Sequence, residues 1–429
     1  MQSDFLQKNL QLIERRWPLL YQALVNLASP ERAHFISETQ QPTLLLDGIH
    51  LSSCFDSRSE ARLQAMMVAE SATTVWVYGV ATGDLQCELL QRQWLQRLEV
   101  VILSLEVFKS CLRYFDHSDW LADNRSRLTL ATATTDVRVP FAVVPACLKL
   151  IEPAAARVRD LIVLELDTGY LNSRVRGNRQ FQQQIDENLS LVKQDGDVET
   201  LFGRHRDGFC YVAAAGPSLS EHYERLRGRG ADSYLIAVDA ALKPLLLQGI
   251  VPDAVVTIDG VRDHIMKLFD VDLAPLKDIP LIYFPIVHGD VLRQWPGPRY
   301  VAYSNSPLYE QLMAHSPKGM LYASGTVLHA AVDLAVKIGS QKIWLMGADF
   351  SFPGNRTHVA SAVFCQPADQ TGYQEWLEDG HGQQVLTSKN LRGYMRDLER
   401  YIAQHPQVSF INTSRSGAAI MGARYADSN

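Results

Sequence analysis

The chain has 429 residues, of which 47% are hydrophobic and 21% are charged, and its formal net charge is −6 at pH 7. This length predicts two or three domains with globular cores. The acidic balance argues against general nucleic-acid binding, which needs clustered Lys and Arg side chains. No run of about 18 apolar residues is present and the N-terminus lacks an apolar signal core, so we expect a cytoplasmic protein without membrane insertion.

The cysteines are scattered and form no C-x-x-C pair. This spacing predicts separate thiols, with neither a disulfide framework nor a zinc site. They lie at Cys54, Cys87, Cys111, Cys147, Cys210 and Cys365.

The N-terminal part carries helical, then strand-like patterns. Residues 4–27 have apolar positions near helical spacing, interrupted by Pro18, which predicts two helical pieces. Residues 43–53 predict short strands around the turn Asp47-Gly48, and residues 60–70 predict a helix.

Residues 74–78 form a β-rich run that leads into a glycine turn ending at Gly83. A second predicted strand, 99–105, ends at Glu106, which gives the outline of a Rossmann unit. The third glycine of the fingerprint is missing. A Rossmann-like scaffold without a ligand is therefore favoured, and a cofactor site remains the alternative. Further strands are predicted at 126–133, 137–144 and 161–166.

Residues 171–200 are polar and contain Gly177 and Gly196 as helix breakers, with a helix predicted at 181–192. This composition predicts a connection between domains. We therefore divide the chain into an N-terminal domain (1–195), a central domain (196–365) and a C-terminal helical segment and lid (366–429).

The central domain is organised around residues 211–226. An apolar strand ends at Gly216, and Pro217 suits the first position of the helix that follows. The amides of Ser218 and Leu219 are predicted to point outward with the positive end of the helix dipole behind them. Such a corner attracts anions, above all phosphate.

Strands and helices alternate after this corner, which predicts a parallel sheet with ligands at the carboxyl ends of its strands. Strands at 234–238 and 254–258 end in Asp239 and Asp259, which should face the Gly216 corner. The alternative is that each acid merely caps the next helix.

The last third of the chain also carries patterns of strands and helix starts. After strands at 280–286 and 300–303, Ser324 is a plausible N-cap for an apolar helix closed by Gly339. A strand at 342–346 then runs into a polar loop, followed by a turn at 380–384, a helix at 387–403 and an apolar run at 408–411. The tail, 412–417, could fold over the site.

Five motifs together resemble the motility accessory factor (Maf) proteins over roughly residues 200–425. They are AAGPSL at 214–219, AVDAALK at 237–243, PDAVVTID at 252–259, SGTV at 324–327 and IWLMGAD at 343–349. The resemblance implies an α/β fold, with a Rossmann-like N-terminal domain and a parallel-sheet central domain that is a GT-A variant similar to bacterial sialyltransferases. It also implies a flagellin glycosyltransferase that supports flagellar assembly and motility. Such an enzyme moves a nonulosonic acid from its CMP-activated form to Ser or Thr of flagellin, with no further cofactor.

In this resemblance the sialyltransferase nucleotide-binding turn corresponds to Gly216, Pro217 and Ser218. Where those enzymes have asparagines near the CMP-sugar, this chain has Asp239 and Asp259. A carboxylate there repels phosphate unless it bonds ribose or sugar hydroxyls. The nucleotide-sugar-binding residues implied by the resemblance and by the pattern of strand ends are Gly216, Pro217, Ser218, Leu219, Asp239, Ser324, Gly325, Thr326, Gly347, Asp349 and Arg356.

Glycosyl transfer needs a base for the acceptor hydroxyl, and His358 is the first choice because it lies in the polar loop after Asp349. Asp259 is the second catalytic candidate, His381 an alternative base, and Arg356 could meet the leaving phosphate. The donor's own carboxylate could replace the base. The acidic pairs at 195–197 and 270–272 follow no expected strand, so we predict surface acids and no catalytic metal.

Two other interpretations stay open. Archaeal 6-hydroxymethylpterin diphosphokinases also resemble the central domain, and ATP chemistry would place Mg²⁺ on Asp239 and Asp259. The third interpretation is a flagellin-binding assembly factor without catalytic activity.

Overall fold

The computed structural model describes residues 2–28, 33–37, 39–176, 179–206, 208–372 and 375–426. The chain divides into two compact units, Met1–Ile162 and Val163–Asn429. The helix α9 (Arg179–Gln194), which precedes the boundary predicted near residue 195, packs on the second unit. There the Asn188 side-chain amide donates to the carbonyls of Pro285 and Val287, at 2.9 and 2.7 Å.

The first unit contains a parallel sheet in the strand order β6-β5-β4-β7, beside a small antiparallel sheet, β1-β2-β3. The Rossmann-like fold predicted for this part is confirmed. Its elements are α1 (Gln2–Arg16), α2 (Pro18–Asn26), β1 (Ala33–Ile36), β2 (Thr43–Leu46), β3 (Ile49–His50), α3 (Ser57–Ala65), β4 (Thr74–Tyr78), α4 (Asp84–Leu90), β5 (Arg97–Ile102), α5 (Leu105–Tyr114), α6 (Ser118–Ala122), β6 (Ser126–Leu130), β7 (Phe141–Val143), α7 (Pro145–Lys149) and the start of α8 (Ala156–Arg176).

The glycine turn after β4 is filled by protein side chains. Gly79 has φ 95°, and a Cβ atom built on it would lie 2.6 Å from Cβ of Cys147. Two cavities at this edge have volumes of about 20 and 10 Å³. Each of these cavities has room for about one water molecule.

The second unit is built on a sheet in the order β18-β17-β14-β9-β10-β11-β12-β13-β8, in which each neighbouring pair is parallel. The parallel α/β fold with a helical C-terminal part is therefore confirmed. Its remaining elements are β8 (Gly196–Asp197), β9 (Phe209–Ala213), α10 (Tyr223–Arg227), β10 (Ser233–Val238), α11 (Asp239–Leu247), β11 (Ala254–Thr257), α12 (Arg262–Leu268), β12 (Leu281–Tyr283), α13 (Gly289–Gln294), β13 (Arg299–Val301), α14 (Glu310–His315), α15 (Val327–Lys337), β14 (Lys342–Met346), β15 (Glu375–Glu378), β16 (Gln384–Thr387), α16 (Lys389–Gln404), β17 (Ser409–Asn412) and β18 (Arg424–Tyr425).

Two elements differ from the sequence prediction. The apolar run at 161–166 lies inside α8 and is not a strand, because a short apolar run alone does not distinguish a buried strand from a buried helix. The turn at 380–384 is the tip of an antiparallel hairpin, β15–β16. In the part of the chain that the structure describes, no helix has both the length and the apolar character to cross a membrane.

The strand order creates a switch point between β9 and β14. From β9 the chain builds outward through β10, β11, β12 and β13, and it then returns to place β14 on the other side of β9. In open parallel sheets ligands commonly bind at such a point, outside the carboxyl ends of the strands.

Candidate functional site

The switch point is closed by an internal carboxylate. The Asp349 side chain, which follows β14, accepts hydrogen bonds from the Ser218 amide (2.9 Å) and the Ser218 hydroxyl (2.5 Å). The Leu219 amide donates to the carbonyl of Gly216 at 3.1 Å. The prediction that the Ser218 and Leu219 amides are free for an anion is therefore wrong, because the protein supplies its own anion.

Glycines allow the segments around Asp349 to approach closely. A Cβ atom on Gly216 would collide with the Asp349 carboxylate, and one on Gly417 would lie 2.7 Å from it. The backbone of Gly216 also donates to the carbonyl of Gly347 at 2.9 Å, and Ala418 donates to that of Asp349 at 2.8 Å. The C-terminal tail thus folds over the switch point, as the sequence suggested.

Burial raises the pKa of Asp349, whose side chain is 3% exposed, and the hydrogen bonds from Ser218 oppose that rise. Pro217 begins the short 3₁₀ turn that carries Ser218 and Leu219. These residues therefore form a packed structural joint.

The predicted base, His358, lies beside this joint. The next residue, Val359, donates its amide to the carbonyl of Ala215 at 2.9 Å. His358 is half-buried, its Nδ1 atom has no hydrogen-bond partner among the described residues, and burial lowers its pKa. Arg356 and His381, by contrast, are exposed.

Asp239 and Asp259 end adjacent strands and lie close enough for the charge of Asp259 to act on Asp239. Asp239 is 4% exposed and accepts hydrogen bonds from the Thr257 hydroxyl (2.8 Å) and the Ala240 amide (2.7 Å). Burial raises the pKa of Asp239 to about 6, and Asp259 adds to the rise. Asp259 accepts from the Val261 amide at 2.8 Å. Each carboxylate thus accepts from one nearby backbone amide, but neither caps a helix, because the N-cap residues of α11 and α12 are Val238 and Val261 and neither helix has a side-chain cap bond.

The open site of the second unit is a pocket of about 900 Å³. Its walls come from α8, from the segment after β13, from residues 320–325 and from the first turns of α16. The lining side chains include Glu165, Asp167, Thr168, Ser304, Asn305, Ser306, Tyr322, Ser324, Gly325, Lys389, Asn390 and Tyr394. Aromatic, amide, hydroxyl and ionic groups therefore converge on one cavity, which has the size of a small-molecule site.

Ser324 and Gly325 line this pocket as predicted binding residues, but Ser324 does not cap the following helix. α15 begins at Val327, and the Thr326 side chain caps it by accepting from the Leu328 amide at 3.4 Å. Gly325 has φ 77°, and a side chain there would collide with the ring of Tyr394. The predicted N-cap, Ser324, was therefore two residues too early.

The other predicted binding residues lie outside the pocket lining in the described part of the chain. Gly216–Leu219 and Gly347–Asp349 form the closed switch point, while Asp239 and Asp259 form a separate acidic pair. Four pocket residues were not predicted from the sequence: Asp167, Asn305, Lys389 and Tyr394. Only Asn305, beyond a predicted strand end, and Lys389, at a predicted helix start, carried a usable signal.

The acidic pair at 195–197 is also different from the prediction. Asp195 is not a surface acid: it accepts two hydrogen bonds of 2.8 Å from Arg299 and one of 2.8 Å from the Tyr283 hydroxyl. Asp197 caps the following turn through the Glu199 amide. Within the described ranges, no three His, Cys, Asp or Glu side chains are grouped as a metal site would require.

The second unit is thus an open parallel α/β domain with a cavity of small-molecule size beside the segment that follows β13. Residues 183–355 match the family model described as 6-hydroxymethylpterin diphosphokinase MptE-like, a match over less than half of the chain. The predicted resemblance of the central domain to this family is therefore confirmed.

Two individual proteins are also similar. A 6-hydroxymethyl-7,8-dihydropterin pyrophosphokinase from Pyrococcus furiosus is 33% identical over 144 residues, which are 33% of this chain and 55% of the relative, so the chain spans about half of that protein. A solved structure of a MAf glycosyltransferase from Magnetospirillum magneticum AMB-1 is similar with a TM-score of 0.45 and 14% identity, over 100% of this chain and 75% of that one.

We predict that Asp349→Ala lowers the free energy of unfolding by about 2–4 kcal/mol, because the buried Ser218 amide loses its acceptor and a small cavity is left. Asp349→Asn should cost much less, since its amide oxygen can accept from the Ser218 amide while the Ser218 hydroxyl turns to accept. Urea unfolding of both variants measures the difference. Equal losses in the two would contradict the hydrogen-bonded joint.

Asp239→Asn should stabilise the protein at alkaline pH. A folded-state pKa of about 6, raised from 3.8, means that the protonated carboxyl contributes stability below 3.8 that is lost as pH rises through about 6. Asn stays neutral, its amide oxygen can accept from the Ala240 amide and its amide nitrogen can donate to the Thr257 hydroxyl, so the variant should gain about 2–3 kcal/mol at pH 8 and almost nothing at pH 4. Thermal unfolding across this range measures the gain, with the exposed Asp232→Asn as control. A gain independent of pH would contradict the assignment.

Proposed function

We propose that the protein is a glycosyltransferase that takes a nonulosonic acid from its CMP-activated form and attaches it to Ser or Thr of flagellin. The observation that carries the proposal is that Ser324 and Gly325, which match the Ser-Gly that approaches the nucleotide in sialyltransferases, line the 900 Å³ pocket. The five motifs described above support the same assignment.

The pocket offers a group for each part of such a donor. The rings of Tyr322 and Tyr394 provide surfaces on which a base can stack. Lys389, in the first turn of α16, brings a positive charge next to the positive end of a helix dipole, where a phosphate is favoured. Asn305 and Asn390 provide amide donors and acceptors for hydroxyl and carboxylate groups.

Asp167 is the carboxylate in this pocket best suited to act as the base. It makes no ion pair or hydrogen bond with the side chains that the structure describes, whereas Glu165 is paired with Arg400. We assign it to accept the proton of the acceptor hydroxyl. The hydroxyl oxygen then attacks the anomeric carbon of the sugar, the bond from that carbon to the phosphate oxygen breaks, and CMP leaves with the bonding electrons. His358 and Asp259 lie outside the pocket lining and stay predictions.

A diphosphokinase acting on a pterin alcohol is the second candidate. The relative that is 33% identical favours it, as does the family match over residues 183–355. In that case Asp239 and Asp259 would hold the Mg²⁺ of MgATP, since both are oxygen ligands at neighbouring strand ends. The two candidates therefore use different residues of the second unit.

Ligand binding separates the candidates. We expect CMP and a CMP-activated sugar to raise the melting temperature, and Lys389→Glu to weaken their binding about tenfold or more, because a charge-assisted bond to phosphate is replaced by repulsion. Glu is also favourable at a helix start, so folding should be preserved. Lys277→Glu, an exposed reversal outside the pocket, is the matched control.

The same titrations identify the alternatives. Binding of ATP that requires Mg²⁺, survives Lys389→Glu and is lost in Asp259→Asn would move the assignment to the diphosphokinase. Absence of binding by either nucleotide, with flagellin still bound, would indicate the non-catalytic assembly factor.

In a transfer assay we expect Asp167→Asn to lower kcat about 100-fold or more while donor affinity is retained, because only proton removal is lost. His358→Ala should have a much smaller effect. The intact mass of flagellin after incubation with enzyme and donor measures the transfer. If only His358→Ala lowered kcat, the base would be His358, which lies beside the joint, and the assignment of Asp167 would be contradicted.

A further inference from the structure

His329 lies behind the pocket and connects two of its walls. It is in the first turn of α15 and is 1% exposed. Its Nδ1 atom is 2.8 Å from the carbonyl oxygen of Ser324, and its Nε2 atom is 2.9 Å from the carbonyl oxygen of Tyr394. Both Ser324 and Tyr394 line the pocket.

This geometry restricts the protonation state that satisfies the ring. A carbonyl oxygen only accepts, and a neutral imidazole carries a single N–H group. A neutral His329 therefore donates to one wall and presents a lone pair to the carbonyl of the other wall. The imidazolium form donates to both.

Charged and titratable groups face the ring from each neighbouring element. On α16, Asp397 favours the protonated form, although it also accepts from the Tyr322 hydroxyl and lies 3.6 Å from Arg400. The Tyr322 ring is 5.6 Å from that of His329, and the Tyr394 ring is 6.3 Å away.

On α15 itself, Asp333 is neutralised by Lys337 at 2.9 Å and accepts from Tyr401 at 2.6 Å. Burial outweighs the attraction of Asp397 and lowers the pKa of His329 below its ordinary value. The ring is therefore neutral near pH 7.5 and gains its second proton only at lower pH.

We infer that His329 is a positioning residue of the pocket: its ring holds the Ser324 wall against the Tyr394 wall through one bond when neutral and through two when protonated. The inference deepens the proposed function, on which it rests for the nature of the ligand. In the protonated state His329 bonds both walls, and this fixes the distance between Ser324-Gly325, the pair proposed to contact the nucleotide, and the Tyr394 ring. A ligand that spans this gap should bind more tightly to that state.

Three substitutions separate the two bonds. His329→Asn places an amide near the Nδ1 position and keeps the bond to Ser324, and His329→Gln reaches the Nε2 position and keeps the bond to Tyr394. His329→Leu removes both. The probe is the methyl phosphodiester of CMP, whose phosphate does not titrate between pH 5.5 and 7.5.

We expect the wild-type affinity for this probe to increase about three- to tenfold from pH 7.5 to 5.5, as the second bond forms. Asn and Gln variants should bind with little pH dependence, and the Leu variant should bind more weakly at both pH values. Equal pH profiles in the wild type and in the Asn and Gln variants would overturn the inference.

A readout without ligand keeps the test independent of the proposed function. Nitrogen-15 NMR of the His329 ring should show one hydrogen-bonded N–H at pH 7.5, with the second proton arriving below pH 6.5. A ring that exchanges between tautomers and titrates like a solvent-exposed histidine would overturn the inference even if CMP binds. If the probe fails to bind while the NMR pattern is as expected, the nucleotide assignment fails and the coupling of the two walls stands.

Discussion

The hydrogen-bonded pair of Asp349 and Ser218 determines where the second unit can bind a ligand. β9 and β14 are paired parallel strands from which the chain continues to opposite sides of the sheet, and the carboxylate that follows β14 accepts from the Ser218 amide in the turn that follows β9. A buried carboxylate is costly unless it is bonded. Ser218 supplies an amide and a hydroxyl, while Gly216 and Gly417 leave the space that the carboxylate needs. The crevice at the switch point is thereby closed, and the open cavity lies beside the segment that follows β13.

The fold could largely be predicted from the sequence because its strands are short apolar runs separated by clear turn signals. Prediction was wrong where one pattern is compatible with two structures: the run at 161–166 is mostly apolar, with Leu161, Ile162 and Leu164 buried in α8, and such a run would also fit a buried strand. The hairpin β15–β16 carries weak alternation, with exposed Trp376 on one strand, and its turn alone was recognised. The start of α15 was also ambiguous in the sequence. Ser324 and Thr326 are both good N-cap residues, and only the backbone conformation selects Thr326.

The candidate site was harder to predict because it is assembled by packing. Asp167, Asn305 and Tyr394 come from α8, the end of β13 and α16, and no spacing along the chain brings these three together. The Gly216 corner has the pattern of an anion site, and an anion does bind there, but it is the side chain of Asp349, contributed from more than a hundred residues away. The sequence identifies a turn rich in hydrogen-bond donors. It does not identify which acceptor of the folded protein binds to them.

Polar contacts connect the elements around the pocket. Tyr322, in the segment before α15, donates to Asp397 of α16, and Tyr401 of α16 donates to Asp333 of α15. Such networks are rigid when each member is satisfied. His329 is the member whose two contacts cannot both be satisfied in its neutral form, and those contacts end on the pocket walls. The gap that this ring spans is therefore the part of the pocket that a change in the protonation of His329 would alter.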